Sequence, residues 1–461
     1  MSDTLSFSSL PLQAALLDNL ASLGYEQMTP IQAAALPVIL QQRDLIAQAK
    51  TGSGKTAAFG LGLLNKLNPT YFAVQGLVIC PTRELADQVA NELRRLARRI
   101  ENVKIVTLTG GIPMRPQIAS LEFGAHIVVG TPGRLIDHIS RGTLRLNAIQ
   151  TLVLDEADRM VDMGFYDDIY DIAAACSPRR QTLLFSATYP DDIRAASEQL
   201  LNQPEEIQVE VQHSANQIQQ WFFQTTPEQR NAAVGRLLQH YQPASSIAFC
   251  NTKIHCRELT EELHAQGISA LALHGDMEQR DRDEVLIRFA NQSCSVLVAT
   301  DVAARGLDIQ NLGAVINVDV SKDSEVHIHR IGRSGRAGEQ GLALTLVTPG
   351  EKKWVRNIEE YSGEQAQWLE LDSLDVNNDA PLQAPMMTLC IQAGKKDKMR
   401  PGDLLGALCA DLGLQKAQVG KINVGDFVTF VAIERSIAED TLERLSRTQI
   451  KGRQFRMRMV G

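Results

Sequence analysis

The sequence AKTGSGKT occupies residues 49–56, between the apolar stretch DLIAQ and the helical run AAFGLGLL. A glycine-rich turn that follows a buried strand and opens a helix is typical of a phosphate-binding loop. Its glycines let backbone N–H groups close around phosphate oxygens, and the helix N-terminus adds a favourable dipole. Lys55 can neutralise phosphate charge, and the Thr56 hydroxyl can ligate Mg²⁺. We therefore predict a nucleotide site formed by Thr51, Gly52, Ser53, Gly54, Lys55 and Thr56.

Short apolar, β-branched stretches alternate with longer helical patterns through two successive regions. The first region contains DLIAQAK, GLVICPT, KIVTLTG, HIVVGTP, TLVLDEA and TLLFSAT, and the second contains SIAFCNT, ISALALHG, SVLVATD, AVINVDV and GLALTLVT. Continuous apolar runs between helices predict the buried strands of two parallel α/β sheets. The polar turns that follow lie at the C-terminal ends of these strands, where open α/β sheets bind ligands.

The last part of the chain has a different pattern, in the order strand, helix, strand, strand, helix, strand. Its segments are MMTLCIQ, PGDLLGALCADLG, VGKIN, FVTFVAI, IAEDTLERLSR and QFRMRMV. This order predicts a small α+β domain with an RNA-recognition-like βαββαβ fold. The predicted organisation is a first α/β domain at 1–205, a hinge linker at 206–216, a second α/β domain at 217–365, a linker at 366–385 and the small domain at 386–461.

The composition, 44% hydrophobic and 22% charged, is that of a globular protein. No apolar run reaches the roughly 20 residues of a membrane span, and the N-terminus lacks a secretory signal. We therefore expect a cytoplasmic protein with no membrane partner. Cys250 and Cys256 flank His255, but no second ligand pair follows at the usual zinc spacing, so we expect no structural metal.

Charge is distributed unevenly along the chain. The net charge is −8, yet residues 386–461 hold 13 Lys and Arg against 8 Asp and Glu. An acidic body with a basic end predicts that the end docks on a polyanion. The alternative is a charged face that only keeps the domain soluble.

Two further motifs add chemistry to the phosphate loop. VLDEAD places Asp155 directly after a buried strand, where it can hold Mg²⁺, and Glu156 can orient or deprotonate an attacking water. In HRIGRSGR, Arg333 and Arg336 are suited to stabilise charge on a γ-phosphate as arginine fingers from the second domain. A solvated basic turn is the alternative for that motif.

The ordered motifs closely resemble those of the DEAD-box RNA helicases over residues 5–350. In the first domain they are GYEQMTPIQ, AKTGSGKT, PTREL, Gly110-Gly111, TPGR, DEAD and SAT. In the second domain they are CNT, QRDR, TDVAARGLD and HRIGRSGR. The resemblance implies two RecA-like domains in tandem, ATP as the nucleotide, RNA as activator and local unwinding of short duplexes.

The resemblance also implies a role for individual residues around ATP. Gln32 would read the adenine edge, since its amide both donates and accepts, and Phe7 and Tyr25 would pack around the base or simply pack in the core. Arg305 and His329 would help to arrange the attacking water. The other residues implied are Gly306 as a nucleotide-binding residue, Asp308 at the ribose, and Ser186 and Thr188, which would couple the ATP state to domain closure.

RNA contacts follow from the same resemblance. Small residues and hydroxyls let backbone amides approach phosphates, and such contacts are largely independent of sequence. Contacts with 2′-hydroxyls favour RNA over DNA. The residues implied are Pro81, Thr82, Arg83, Gly111, Thr131, Gly133, Arg134, Thr252, Gln279, Arg282 and Thr300.

The basic end resembles the C-terminal domain of the bacterial DbpA/YxiN subgroup. This resemblance implies recognition of a 23S rRNA hairpin and a role on large-subunit assembly intermediates. The strand FVTFV has only part of an aromatic RNA-recognition strand, so stacking on the sheet is not expected. We expect the RNA surface at Lys395, Lys396, Lys398, Arg400, Lys451, Arg453, Arg456 and Arg458.

Two other functions compete with an RNA helicase. An RNA-binding clamp or chaperone would use ATP hydrolysis to time release, without separating a duplex. A DNA helicase of related architecture is disfavoured by the Gln32 motif and the DEAD tetrad, and preference for RNA as activator tests it.

Overall fold

The computed structural model describes residues 6–49, 52–189, 191–209, 218–304, 312–335, 341–375 and 382–460. These residues form two units, the first containing the described residues up to 209 and the second those from 218. Parts of both predicted linkers lie outside the described residues, as do the predicted site residues Thr51, Arg305, Gly306, Asp308 and Arg336. No helix in the described ranges is both long enough and apolar enough to cross a bilayer.

The first unit is built on a seven-stranded sheet in which every strand pair is parallel. The strands are β1 (Leu45–Gln48), β2 (Gly76–Ile79), β3 (Ile105–Leu108), β4 (Ile127–Gly130), β5 (Thr151–Asp155), β6 (Gln181–Ser186) and β7 (Glu205–Gln208). Their spatial order is β3-β4-β2-β5-β6-β1-β7. All six strands predicted for this domain are confirmed.

Helices cover both faces of this sheet. They are α1 (Ala14–Ser22), α2 (Pro30–Leu40), α3 (Lys55–Lys66), α4 (Arg83–Leu96), α5 (Met114–Glu122), α6 (Pro132–Ser140), α7 (Ala157–Asp162), α8 (Tyr166–Ala175) and α9 (Asp191–Leu200). Successive strand side chains point to opposite faces. Leu183 and Phe185 therefore pack in the core under α1 to α4, whereas Leu184 packs in the core under α6 to α9.

The second unit begins with another seven-stranded parallel sheet. Its strands are β8 (Ile218–Gln224), β9 (Ser246–Cys250), β10 (Ala270–Leu273), β11 (Val296–Thr300), β12 (Ala314–Asn317), β13 (Gly341–Val347) and β14 (Trp368–Leu369), in the order β10-β11-β9-β12-β13-β8-β14. Its helices are α10 (Arg230–Tyr241), α11 (Lys253–Ala265), α12 (Gln279–Ala290), α13 (Asp301–Ala304), α14 (Ser324–Ile331) and α15 (Lys352–Ser362).

The same unit ends in a four-stranded antiparallel sheet with two helices. Its elements are β15 (Met386–Ile391), α16 (Pro401–Gly406), β16 (Val419–Val424), β17 (Thr429–Glu434), α17 (Ala438–Arg447) and β18 (Met457–Val460). A π-helical turn at 407–411 extends α16. The order β16-β17-β15-β18 and the βαββαβ sequence confirm the predicted α+β fold.

The two sheets of parallel strands are wider than predicted. β7 extends the first sheet into the segment predicted as a hinge, because it pairs with β1. β14 does the same in the second linker, since it pairs with β8 and its neighbour Leu374 is buried. β8 itself, IQQWFFQ, was not predicted because its glutamines interrupt the apolar run, although Phe222 and Phe223 are buried.

Candidate nucleotide and RNA sites

Strand order divides the functional edge of the first sheet into two halves. All strands are parallel, so their C-terminal ends meet at one edge. On one side, β3, β4 and β2 lead into Gly110-Gly111, TPGR and PTREL, the motifs predicted for RNA. On the other side, β5, β6 and β1 lead into DEAD, SAT and the phosphate loop. The fold therefore separates the predicted RNA contacts from the predicted ATP contacts along one edge.

The phosphate loop connects β1 to α3. Gly54 has φ of 98°, a left-handed conformation that favours glycine, and α3 begins at the next residue. The Lys55 ammonium is buried and donates to the Ala49 carbonyl at 2.8 Å. The Ser53 hydroxyl is buried and has no hydrogen-bond partner among the described residues. A buried cation, a free hydroxyl and a helix N-terminus are suited to bind phosphate oxygens.

Asp155 ends β5 and is 3% exposed. Burial raises the pKa of its carboxyl group to about 6, although the nearby Lys55 ammonium lowers it. Its Oδ1 is buried without a hydrogen-bond partner among the described residues. A buried carboxylate oxygen without a donor fits a hard divalent cation, which would restore the ionised form.

Glu156 follows with φ of 55° and ψ of 52°, a left-handed conformation uncommon for a residue with a side chain. Its Oε2 accepts a hydrogen bond from Arg159 Nη1 at 2.8 Å, and both side chains are buried. The guanidinium thus holds the carboxylate of the predicted catalytic base in one orientation. Arg159, one turn along α7, was not predicted as a site residue.

Asp158, the last residue of the DEAD tetrad, was also missed. Its Oδ2 accepts hydrogen bonds from the backbone N–H groups of Ala187 and Thr188, both at 3.1 Å, and from Thr188 Oγ1 at 3.2 Å. Its own N–H donates to Ser186 Oγ at 3.2 Å. The predicted coupling residues, Ser186 and Thr188, are therefore joined to the DEAD turn through Asp158. In the sequence, this role was indicated by the acidic residue at the end of the DEAD motif.

Gln32 is 2% exposed and connects the start of α2 to the phosphate loop. Its Oε1 accepts from the Thr29 N–H at 2.9 Å, and its Nε2 donates to the Gly54 carbonyl at 3.1 Å. One amide hydrogen and one lone pair remain for other partners. The structure thus couples the position of this side chain directly to the phosphate loop.

Phe7 and Tyr25 make packing contacts. Phe7 is 4% exposed and lies in the core, with its ring centroid 6.1 Å from that of Tyr25. The Tyr25 hydroxyl donates to Glu92 at 2.9 Å and accepts from Arg95 at 2.7 Å. Burial and the Glu92 carboxylate raise the pKa of Tyr25. Both aromatic residues fix the segment that precedes Gln32.

The RNA half of this edge places arginines over glycine-containing turns. Gly111 has φ of 71°, a left-handed conformation that favours glycine, and a Cβ there would lie 1.8 Å from Arg83 Nη1 and displace that guanidinium. Arg134 Nη1 donates to the Ile112 carbonyl at 2.9 Å, on the same turn. Two cationic side chains thus border the glycine turn, an arrangement suited to phosphate.

Two helices begin beside these arginines. Thr82 caps α4 by accepting from the Leu85 N–H at 3.3 Å, and Thr131 occupies the cap position of α6. Pro81 precedes the first cap and is buried. Gly133 is exposed in the first turn of α6 with open space around its α-carbon. Helix N-termini with open approach bind anionic groups.

The second sheet places the other predicted RNA contacts after three neighbouring strands. Gln279 and Arg282 start α12 after β10, Thr300 ends β11, and Thr252 caps α11 after β9. Arg282 Nη2 donates to the Ala303 carbonyl at 3.3 Å, which joins the loops after β10 and β11. The second sheet therefore repeats the arrangement of the first.

Arg330 of HRIGRSGR is a structural residue that sequence analysis passed over. It is 2% exposed and donates from Nε and Nη2 to the Asp301 carboxylate at 2.7 and 2.6 Å. It also donates to the Asp319 carbonyl at 2.8 Å and to Asn251 Oδ1 at 3.2 Å. The flanking predicted catalytic residues, His329 and Arg333, are partly exposed. Their backbone positions are thus fixed by the buried arginine between them.

Cys250, His255 and Asp319 approach within 4.8 Å in the second unit. Both imidazole nitrogens are used, Nδ1 by Asp319 at 2.9 Å and Nε2 by Asn231 at 2.8 Å, and Arg230 pairs with Asp319. Although burial raises it, the pKa of Asp319 lies below its ordinary value, because hydrogen bonds from His255 and the Asn251 N–H favour the ionised carboxylate. The ring nitrogens of His255 and the carboxylate oxygens of Asp319 thus all have protein partners, which explains their approach without a metal.

The basic surface of the small domain is formed by two connections, the one between β15 and α16 and the one between α17 and β18. Residues 394–400 carry exposed lysines, and Lys451 reaches this loop by donating to the Lys398 carbonyl at 3.0 Å and pairing with Asp403 at 2.8 Å. Arg400 occupies the cap position of α16. Arg453 and Arg456 are exposed on the segment leading into β18.

Comparison with known proteins matches three families along the chain. The DEAD/DEAH box helicase family matches residues 29–196, the helicase conserved C-terminal domain matches 229–338, and the DbpA RNA binding domain matches 388–459. The chain belongs to the DEAD-box ATP-dependent RNA helicases. Its third domain is of the DbpA type.

Relatives of the helicase agree with this assignment. The ATP-dependent RNA helicase DbpA of Escherichia coli (strain K12) is 50% identical over 457 residues, 99% of each chain. The DEAD-box ATP-dependent RNA helicase CshA of Bacillus subtilis (strain 168) is 42% identical over 373 residues, 81% of this chain and 75% of that protein. Dbp5 of S. cerevisiae, solved bound to RNA and ADP BeF3, has a TM-score of 0.73 and 30% identity, with coverage of 80% and 96%.

One face of the helicase's four-stranded sheet is covered by α12. Cys390, Phe430 and Val460 are each at most 8% exposed on this face and pack against Ile287. Polar contacts surround this apolar patch: Ser293 Oγ to Thr388 Oγ1 at 2.7 Å, Met386 N–H to the Gln292 carbonyl at 3.2 Å, and Arg458 to Glu284 at 2.9 Å. This face is therefore closed to bases, and Arg458 is occupied at a contact between domains.

Proposed function

We propose that the helicase hydrolyses ATP when RNA binds and uses the closure of its two RecA-like domains to separate short duplexes locally. The observation that carries this proposal is the hydrogen bonding of Asp158 to Thr188, between two loops on the ATP half of the edge. SAT is thereby held against DEAD, so a change around the γ-phosphate alters the backbone after β6.

In the nucleotide site, Lys55 neutralises phosphate charge, and Thr56 and Asp155 are the residues that would hold Mg²⁺. The metal supplies charge stabilisation at the transferred phosphoryl group. Glu156, oriented by Arg159, accepts the proton of the attacking water. Gln32 reads adenine from a position fixed by its bond to Gly54.

The second domain supplies the remaining charge and the ribose contact. His329 precedes and Arg333 follows the buried Arg330, so the placement of these two residues depends on its bonds to Asp301. Arg336 of the same motif acts as the second arginine finger. Arg305 acts on the attacking water, Gly306 contributes to nucleotide binding, and Asp308 binds the ribose. Because the catalytic groups are divided between domains, RNA that favours closure accelerates hydrolysis.

The C-terminal domain directs this activity to a 23S rRNA hairpin in large-subunit assembly. Support comes from the net positive charge of residues 386–461, the exposed lysines of the 394–400 loop and the match to a DbpA RNA binding domain. The relative DbpA matches over the whole chain, including this domain. Phosphate contacts would position the hairpin, and loop bases would specify it.

ATP hydrolysis with two RNAs of equal length tests the proposal, one containing the 23S hairpin and the other unrelated. The lysines at 395, 396 and 398 are changed together to glutamine, and the exposed Lys416 and Lys421 of the same domain are changed as a control. We expect selective stimulation by the hairpin that the first variant loses and the control keeps. Equal stimulation by both RNAs would remove the targeting part of the proposal.

A duplex-separation assay decides between the helicase and the clamp. A short labelled strand is paired beside the hairpin, and its release is measured with ATP and with a non-hydrolysable analogue. Release that needs a nucleotide supports local unwinding. RNA-stimulated hydrolysis without any strand release would favour the clamp.

A further inference from the structure

The turn between β16 and β17 exposes an aromatic ring. Phe427 is 64% exposed, and it is the one large apolar side chain so exposed among the described residues of the C-terminal domain. Phe430, three residues later, is buried against α12. The sheet's own aromatic residue is thus unavailable to a ligand, while the turn presents a ring directly to solvent.

Phe427 lies beside the basic loop, residues 394–400. The Lys396 ammonium lies 4.5 Å from the ring centroid, a cation–π contact. Backbone bonds hold loop and turn together, with the Lys395 N–H donating to Gly425 at 2.8 Å and the Lys396 N–H to Asp426 at 3.1 Å. The backbone segments that carry the ring and its lysine are therefore joined directly.

The 394–400 loop and the turn between β16 and β17 approach each other closely at Gly394. A Cβ on Gly394 would lie 2.4 Å from the Asp426 carbonyl, so a side chain there would push them apart. The Thr429 hydroxyl adds a bond to the Ala393 carbonyl at 2.7 Å. Because the backbone of the turn is already held in place, stacking of a ligand on the ring orders less of the chain than it would on a mobile loop.

We propose that Phe427 is a stacking platform for an unpaired base of the bound RNA. Lys396 covers part of the ring, and a base stacks on the remaining exposed surface. The ammonium groups of Lys396, Lys398 and Lys451 meet the flanking phosphates. This inference rests on the proposed docking of the C-terminal domain on RNA and names the feature that it recognises, a base outside a helix.

The surroundings favour a nucleic acid over an apolar protein segment. Lys396 contacts the ring, and the connected loops carry three further lysines, at 395, 398 and 451, against Asp397, Asp403 and Asp426. The Asp397 carboxylate already accepts from the Gly394 N–H at 3.0 Å. A single aromatic ring within a cationic loop matches a base and its phosphates better than a row of apolar side chains.

The test uses the full chain without nucleotide and a stem-loop RNA with 2-aminopurine in the loop. Affinity is measured by anisotropy for this RNA and for the same stem closed as a blunt duplex. The variants are Phe427→Ala, Phe427→Leu and Phe427→Trp, with Phe123→Ala as a control at an exposed phenylalanine of the first domain. ATP hydrolysis with a long unstructured RNA checks that each variant retains its core activity.

We expect Phe427→Ala and Phe427→Leu to weaken stem-loop binding about five- to a hundredfold, the range for loss of one stacked base. Phe427→Trp and the control should bind like the parent chain and keep the change in 2-aminopurine fluorescence. Equal binding by Phe427→Ala, or full affinity with Phe427→Leu, would overturn the platform. If the parent chain prefers neither RNA and RNA does not stimulate its ATPase, the proposed function itself has failed.

Discussion

Arg330 and Asp301 form a two-bond pair inside the second α/β domain, with Nε to Oδ1 at 2.7 Å and Nη2 to Oδ2 at 2.6 Å. The guanidinium lies on α14 and the carboxylate opens α13, so the pair joins two segments with predicted catalytic residues. Planar fork geometry makes this contact specific to arginine. Arg330 therefore acts as a positioning residue for His329 and Arg333.

Replacing Arg330 with methionine should lower the free energy of unfolding by about 3–5 kcal/mol, because removal of one partner leaves the other charge uncompensated. RNA-stimulated ATP hydrolysis should fall as well, since Arg330 positions His329 and Arg333. Urea unfolding followed by fluorescence measures the first effect. Arg447→Met is the control, since its pair with Glu443 is exposed on both sides and should contribute under 1 kcal/mol. Equal effects of both variants would contradict the role of Arg330.

Asp155 should make the nucleotide-free protein less stable as the pH rises. Its folded pKa is about 6 and its ordinary value 3.8, so ionisation is disfavoured in the folded state and stability declines between about pH 4 and pH 6. Asp155→Asn should therefore raise the free energy of unfolding at pH 7.5 by up to about 3 kcal/mol, and the unfolding midpoint with it. The same variant should lose ATP hydrolysis.

Thermal unfolding at pH 5 and pH 7.5 measures this effect. The gap between Asp155→Asn and the parent chain should shrink at the lower pH, and Mg²⁺ with ATP should stabilise the parent chain alone. Asp171→Asn, at an exposed carboxylate of the same domain, is the control and should show no such gap. A gap that is independent of pH would mean that Asp155 is not the titrating group.

Much of the fold follows from local sequence because its strands are continuous apolar runs. TLVLDEA and TLLFSAT predict β5 and β6, and both strands bury every side chain. The turns after them carry the functional motifs, so the position of these motifs was predictable too. β8 and β14 could not be predicted in this way. β8 pairs with β13 and with β14, and both of these strands lie far along the chain.

Within the candidate site, residues that act through distant partners were harder to find. Asp158 bonds to residues about 30 positions later, and Arg330 pairs with Asp301, 29 positions earlier. A charged residue in a sequence motif does not reveal whether its side chain faces solvent or a buried partner. The spacing of His327, Arg330 and Ile331, all buried on one face of α14, is the pattern that would have indicated an inward arginine.

Asp158→Asn should separate ATP binding from duplex separation. An amide oxygen cannot match a carboxylate in accepting from two backbone N–H groups and a hydroxyl, and hydrogen bonds to charged groups contribute about 1.5–3 kcal/mol. We expect strand release to fall roughly tenfold or more, with the affinity for a fluorescent ATP analogue nearly unchanged. Asp167→Asn, exposed on α8, is the control. Parallel loss of ATP affinity would place Asp158 in nucleotide binding instead of coupling.

The contact between α12 and the four-stranded sheet should hold the RNA-binding domain in place beside Gln279 and Arg282. The Arg458–Glu284 pair is partly exposed and should contribute at most about 1 kcal/mol, so the apolar patch around Ile287 dominates. Ile287→Lys places an ammonium against Phe430 and should release the domain.

Hydrogen exchange of β15 and β18 measures this release, and ATP hydrolysis with the hairpin RNA measures its consequence. We expect faster exchange and loss of the hairpin's advantage over unrelated RNA, while the hairpin's affinity is kept because the basic loop is untouched. Ala290→Lys, exposed at the end of the same helix, should change neither. If Ile287→Lys frees the sheet but stimulation by the hairpin persists, the domain acts as a flexible tether, and its fixed orientation has no role in activation.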